Sequence, residues 1–350
     1  MASLDDPLRR AADISAELQA TIAHSLWGNP PKRLFNGEPS SELELGPYFA
    51  YYTDQCNQAL HDGGRSTSAR VHRDILDIAN RLKEPMERDV VRQYVPCNGS
   101  DGVSNDLEMR DGSINLAARL LLMMNFGRYR YAISGRKELQ WTEGSMRQFL
   151  EGHFGTPPTP GNKDVKLEKA FNARNLNRIA GLEIVATSNL ADHLRLINDD
   201  RAVEIFHHVS FLEYQREESL FPDGFMDETL RTLALLFTQS EKPTRKWFQS
   251  LSPSQMTVID PRLFRCGQLR TDDRQIKNFR FWHDRLVMLK QVYDEARPSN
   301  VSQWWYDRRN GVQWYTFWVA FAVLILTIFF GIVQSVEGAL QVYKAYHPAS

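Results

Sequence analysis

The sequence predicts a mainly α fold of the α+β kind: a helical body containing a winged-helix-like module, followed by one C-terminal transmembrane helix. Three observations predict it. Apolar side chains recur every three to four residues through much of the 350-residue chain, the period of helices with one buried face. Alternating apolar runs are confined to a short stretch near 182–207, which limits the sheet to a few strands. From Gly311 to Val336 there is no charged residue, a length that suits lipid better than water.

Composition sets the outer limits. The 42 Lys+Arg and 43 Asp+Glu leave a net charge of −1, which excludes a strongly basic nucleic-acid coat and a polyacidic tail. Hydrophobic residues make up 42% and aromatics 11%, enough for a packed core. The three cysteines, Cys56, Cys97 and Cys266, are odd in number and far apart, so they build neither a disulfide framework nor a zinc knuckle.

The elements follow in order. A short helix is expected around Ile14–Leu26, then a Pro/Gly/Asn loop. A second helix covers 41–62, with Leu45, Phe49, Tyr52 and Cys56 at near-helical spacing. A third pattern, 69–95, is interrupted at Pro85, and the polar run 96–106 reads as a boundary. The dense apolar string Ile114–Phe126 predicts a buried helix ended by Gly127. Leu139–Trp141 reads as a short strand. Thr142 is expected to cap a helix over Glu143–Phe154, and a further helix is expected from Leu167 to Ala180, closed by Gly181. Strands are expected at Leu182–Thr187, His193–Ile197 and Val203–His207, the last two joined by the turn residues Asn198, Asp199 and Asp200. Helix, strand, helix, helix and then strands is the element order of a winged helix. Beyond it, Met226, Leu230, Leu233 and Phe237, and Phe279, Trp282, Leu286, Leu289 and Tyr293, form two apolar stripes expected to pack into the local core. The chain thus divides into a helical region with loops (1–105), a winged-helix-like module (106–210), a helical membrane-proximal region (211–310), the transmembrane helix (311–336) and a short tail (337–350).

The span is the strongest signal. Its apolar centre, Trp314–Val336, is about 34 Å long as a helix and covers a hydrocarbon layer of about 30 Å. Trp314, Phe317, Trp318, Leu324, Leu326, Phe329, Gly331 and Val336 mark its length, so the lipid bilayer is its expected partner. Trp304, Trp305, Tyr306, Trp314, Tyr315 and Trp318 gather at the upstream edge, where amphipathic rings favour the headgroup zone. Lys290, Arg297, Arg308 and Arg309 lie upstream against Lys344 alone downstream. This bias places the N-terminal part in the cytosol. With no apolar leader in MASLDDPLRRAADISAEL and 14 residues after Val336, the expectation is a tail-anchored protein of an endomembrane, its sequons at Asn98 and Asn300 unmodified. Thr327, Gly331 and Ser335, four apart, offer a face on which two spans could pack as a homodimer.

Chemistry is sparse. No phosphate-binding loop, nucleophile elbow, HExxH, CxxC or EF-hand motif occurs. The nearest constellation is His193, His207 and His208 with Asp192, Asp199 and Asp200. On a hairpin, His193 and His207 would approach across strands, and with Asp200 could ligate a metal. Against this, the two aspartates suit a turn, and adjacent histidines on a strand point to opposite faces. No catalytic residue, cofactor or metal is therefore expected. Lys169, Arg174 and Arg178 on the third helix could face nucleic acid, but acidic Glu168 and Glu183 at its ends disfavour it.

The strings RDGSINLAARLLLM (110–123), WTEGSMRQFL (141–150), FNARNLNRIAGLEI (171–184), SNLADHLRL (188–196), DETLRTLALLF (227–237) and WWYDRRNGVQWYTFWVA (304–320) resemble those of a large fungal family of uncharacterised single-pass membrane proteins. These share the NLADHL box and an aromatic-rich QWYTFW-type span. The resemblance covers most of 110–350 and implies a fungal origin and the anchor; it brings no activity and no catalytic residue. The expected role is a cytosolic interaction or scaffold domain on a membrane, with unidentified protein partners and no enzyme activity. The alternatives are a membrane-tethered enzyme using the His193/His207 neighbourhood and a nucleic-acid binder released from the membrane.

Overall fold

A computed structural model of the chain describes residues 3–8, 14–39, 43–61, 63–96, 103–127, 139–157, 159, 165–217, 220–239, 244, 246–248, 258–296, 305–306 and 311–346. Cys97, both sequons, Arg297, Pro298, Trp304, Arg308 and Arg309 lie outside the described residues. The helices come first: α1 (Ala16–Trp27), α2 (Gly46–Leu60), α3 (His72–Lys83), α4 (Arg88–Gln93), α5 (Val103–Leu122), α6 (Met146–Phe154) and α7 (Ala173–Arg178). Strands β1 (Glu183–Thr187), β2 (Arg195–Ile197) and β3 (Ala202–Phe206) follow, then α8 (Val209–Tyr214), α9 (Phe225–Leu236), α10 (His283–Glu295) and α11 (Gly311–Tyr346).

Helix α5 is the axis of the body. From Ile114 to Leu122 it is apolar on several faces, and Ile114, Leu116, Ala117, Leu120, Leu121 and Leu122 are all buried. It therefore needs neighbours on all sides, which α2, α3 and α4 supply. Its last carbonyls have no partner within the helix. Side chains from elsewhere cap them: Tyr48 donates to Leu120 O at 2.8 Å, and Trp27 Nε1 to Leu121 O at 3.1 Å. At its middle, a Cβ on Gly112 would sit 1.7 Å from the Ser66 carbonyl oxygen, so only glycine admits the close approach of that loop. At the next position, Ser113 Oγ accepts the Ser68 and Ala69 N–H groups and donates to Met109 O.

The sheet has the order β1-β3-β2. β1 runs parallel to β3, pairing Glu183 with Ala202 through Thr187 with Phe206. β2 runs antiparallel to β3, pairing Arg195 with Glu204 and Ile197 with Ala202. Asn198, Asp199 and Asp200 all have positive φ, 55°, 52° and 60°, at the tip of that hairpin. Asn and Asp tolerate this left-handed region because their short polar side chains bond locally.

Several expectations need adjustment. Leu139–Trp141 is not a strand of this sheet; Leu139 makes an isolated parallel bridge with Phe126. The cap of α6 is Ser145, not Thr142. Ser145 Oγ accepts the Gln148 N–H, and Gln148 Oε1 accepts the Ser145 N–H, a reciprocal pair preceded by Gly144 at φ 70°. The helix expected from 167 to 180 is only α7. Its first residues are diverted because Leu167 N–H donates to Arg274 O, and Asn172 starts the helix by accepting the Asn175 N–H. With a parallel β1–β3 pair, a six-residue α7 and no strand at 139–141, the described elements of 112–210 depart from the expected winged-helix order. Helix α5 already runs at Val103, across the boundary placed at 105/106, and buried residues from Leu8 to Tyr293 belong to one core cluster. Both stripes, at 226–237 and 279–293, are buried in it as expected.

Helix α11 stands apart. It is 36 residues long, about 54 Å. It continues ten positions past Val336, since EGALQVYKAY contains no proline and only one glycine, Gly338; the tail expected at 337–350 is helical as far as Tyr346.

Candidate functional site

Two places carry the functional expectations: the histidine region around 188–208 and the apolar helix α11. The first is a crossover. Because β2 lies on the far side of β3 from β1, residues 188–194 must pass across the end of the sheet. The NLADHL box makes this passage. Asn189 Oδ1 accepts the Asn125 N–H at 3.1 Å, its amide donates to Asp192 Oδ2 at 2.7 Å, and Leu190 N–H donates to Met123 O at 2.8 Å. The box thus docks on the C-terminal end of α5.

His193 closes the crossover. Its Nδ1 accepts the Phe206 N–H at 3.1 Å, so the ring proton resides on Nε2. Nε2 donates to Thr232 Oγ1 at 2.7 Å, and that hydroxyl donates to Thr229 O. Trp282 presents its ring edge-on at 4.8 Å. Arg285 Nη1 donates to the carbonyls of Ala191 and His193. Burial first, then the Arg285 charge, holds the imidazole well below its usual pKa. Every polar atom of the ring is used, and none faces solvent.

His207 and His208 form a second buried pair, with ring centroids 3.9 Å apart. The expectation that they point to opposite faces fails because β3 ends at Phe206, and His208 already caps α8 with ψ 75°. His207 Nδ1 accepts the Asp260 N–H at 3.4 Å, while His208 Nε2 bonds Ser188 Oγ at 2.9 Å. Asp260, which sequence reasoning missed, accepts the Ser210 and Arg262 N–H groups at 2.7 and 2.9 Å. Burial pushes its carboxyl up to about 6 and His207 down to about 3. The signal was Asp260-Pro261, a polar cap before a helix-starting proline. Serine, histidine and aspartate meet here, but not as a nucleophile, base and orienter: the carboxylate binds backbone N–H groups, and His207 receives a backbone proton donor where a triad histidine would give one.

Asp200 is elsewhere, exposed at the hairpin tip, several strand residues of about 3.3 Å each from Phe206. The structure does not join it to His193 and His207. No group of three or more His, Cys, Asp or Glu among the described residues is arranged to hold a metal ion. Cys56 and Cys266 are buried free thiols; burial raises Cys56 to about 12 and Cys266 well above its ordinary value, the opposite of an activated thiolate. A polar surface hollow of about 460 Å³ lies near Asn36, Arg231, Gln239, Gln268 and Asp273, and no histidine lines it. Lys169 precedes α7 and does not share a helix face with Arg174 and Arg178, and Arg178 lies over the Tyr306 ring, 3.0 Å from its centroid.

No family model, curated protein or solved structure matches this chain.

Helix α11 is the reverse of the histidine region. Trp314–Tyr343 is long and apolar enough to cross a membrane, and none of its most apolar stretch is buried. Leu324, Leu326, Phe329, Gly331 and Val336 are exposed; Trp314, Phe317 and Trp318 are half-buried, packed among their own neighbours. A core helix of this apolarity would be covered by its own fold. Thr327 and Ser335 donate back to Val323 O and Gly331 O, so the only hydroxyls on the expected pairing face are satisfied without water. Upstream, Trp305 packs edge-on against Trp318 at 4.9 Å.

Proposed function

We propose that this chain is a single-span membrane protein whose folded body stands on the cytosolic face and serves as an interaction or scaffold module. The observation that carries the reading is the contrast just described: an uncovered apolar helix beside a body that buries its own apolar stripes. Interfacial aromatics at its upstream edge support the span, and the excess of basic residues before it supports the sidedness. The burial of His193 and His207 supports a structural role for the residues that would have carried chemistry. Thr327, Gly331 and Ser335 offer a self-association face in the same bilayer.

Alkaline carbonate extraction of membranes from cells expressing the full chain tests the anchor. Retention in the pellet is expected, and complete release overturns the reading. Protease added to sealed vesicles tests sidedness: the body is expected to be digested while the span is spared. Proximity labelling from the body then names its neighbours.

A further inference from the structure

The Arg178–Tyr306 contact lies at a particular place. Tyr306 stands five positions before Gly311, where α11 begins. Its neighbour Trp305 packs on Trp318, and Trp314 Nε1 donates to Trp305 O at 3.4 Å. Trp305 therefore holds to the first turns of the apolar helix while Tyr306 holds to α7. Aromatic rings at the start of a span sit at headgroup depth, so Arg178 is carried to that depth too.

The cation is incompletely satisfied. Arg178 Nε is buried and meets no acceptor. The neighbouring charge acting on it is another cation, Arg174, one turn earlier on the same helix. Tyr306 covers one face of the guanidinium but does not accept its in-plane N–H groups. Two adjacent guanidiniums repel each other, and an anion shared by both would relieve the repulsion. Phosphate oxygens match the planar fork of arginine.

We propose that Arg174 and Arg178, backed by Tyr306, form a binding face for the phosphate of an anionic membrane lipid. This rests on the reading that Trp314–Tyr343 spans the bilayer. The occupant is a lipid of the leaflet entered by Trp314, because continuity with the span puts the two arginines beside headgroups already at high local concentration. Negative leaflets attract basic side chains near their surface, on the order of fivefold in occupancy per arginine.

The test uses the full chain in nanodiscs of phosphatidylcholine alone or with 30% phosphatidylserine (about one lipid in three, ample for a site drawing on headgroup attraction). Amide hydrogen exchange is followed across α7. Exchange at 173–180 is expected to slow severalfold with phosphatidylserine, and this slowing to vanish in Arg174→Gln/Arg178→Gln. Arg178→Lys, which keeps the charge and loses the fork, is expected to keep only part of it. Should loss of Arg178 lower the melting temperature of the body, Arg174→Gln alone, at a half-exposed position, still reads the effect. Equal exchange in both discs overturns the proposal. So does equal slowing in phosphatidylcholine discs on adding inorganic phosphate, which would make the site one for free anions. Carbonate extraction of the same protein reads the span separately: release there ends the span reading, whereas retention with lipid-independent exchange ends only the headgroup proposal.

Discussion

The NLADHL crossover and helix α11 are the two passages richest in sequence signal, and they meet opposite fates. In the crossover, His193 is wholly buried, both ring nitrogens are bonded and Trp282 covers the ring. In α11 none of the most apolar stretch is buried, and Leu324, Leu326, Phe329 and Val336 are exposed. The difference teaches which kind of signal points outward. A cluster of polar side chains within a folded region can be consumed entirely by the backbone turns that the topology demands. An apolar run with no complementary surface in its own chain must find one elsewhere.

The contrast breaks most readily at the span. Leu326→Arg with Phe329→Arg places two charges near the middle of the apolar stretch, at about 2.5–3.5 kcal/mol each on insertion scales. The variant is expected to leave the membrane pellet in carbonate extraction while its body keeps the wild-type melting temperature. If it remains in the pellet, lipid does not surround those positions.

Next in size is the core side of the comparison. Trp282→Ala removes the ring that covers His193 and donates to Thr229 Oγ1 at 2.9 Å. The expected loss is about 3–5 kcal/mol of stability, read by chemical denaturation of the body. The matching truncation Phe329→Ala in α11 should leave that denaturation curve unchanged. Equal effects of the two would mean that α11 packs on the body.

How much of this was legible? The core stripes, the hairpin turn and the span were, because each depends on periodicity or on a run longer than any local accident. Asn198-Asp199-Asp200 reads as a turn because few other side chains enter the left-handed region cheaply. The shortened α7 was not legible: Leu167 is claimed by Arg274 O, a partner more than a hundred positions away. The parallel β1–β3 pair was hidden for the same reason, since the crossover that creates it runs through residues that read as a strand start. Of the histidine region, the residue types were visible but their partners Thr232, Asp260 and Trp282 were not, since nothing in spacing links 193 or 207 to them.

Acid should sharpen the comparison on the core side alone. Burial lowers the folded pKa values of His193, His207 and His208, so the unfolded chain binds more protons below about pH 6.5, the free imidazole value. Stability is present above that pH and is lost as the pH falls toward the folded values, His207 reaching about 3. For His207 the loss at pH 5 is about 2 kcal/mol. Asp260, raised to about 6, acts in the opposite sense between the ordinary carboxylate range and 6, and softens the limb without reversing it. Denaturation midpoints are expected to fall from pH 7 to 5. His207→Phe keeps a ring and removes a buried Nε2 that has no partner, but also the Nδ1 that accepts the Asp260 N–H; it should make the limb shallower, with His193 and His208 still contributing, at a cost of about 1–3 kcal/mol at pH 7. A pH-independent midpoint in the wild type would mean that these imidazoles are open to water.

The smallest effect concerns the hairpin tip, and its sign separates turn from ligand. Asp200 has φ 60° and is exposed. If its carboxylate serves only the turn, Asp200→Asn, which tolerates the same backbone, should change stability by less than about 0.5 kcal/mol, and Asp200→Gly likewise. Asp200→Val, equally free of charge but β-branched, should cost about 1–2 kcal/mol from the left-handed backbone alone. A ligand would give a different order: all three variants would lose the carboxylate and fall together. The ranking of Asn and Gly against Val therefore reports what the residue does at this position. Equal losses in all three, accompanied by a change in bound metal by elemental analysis, would return Asp200 to the histidines that the fold sets apart from it.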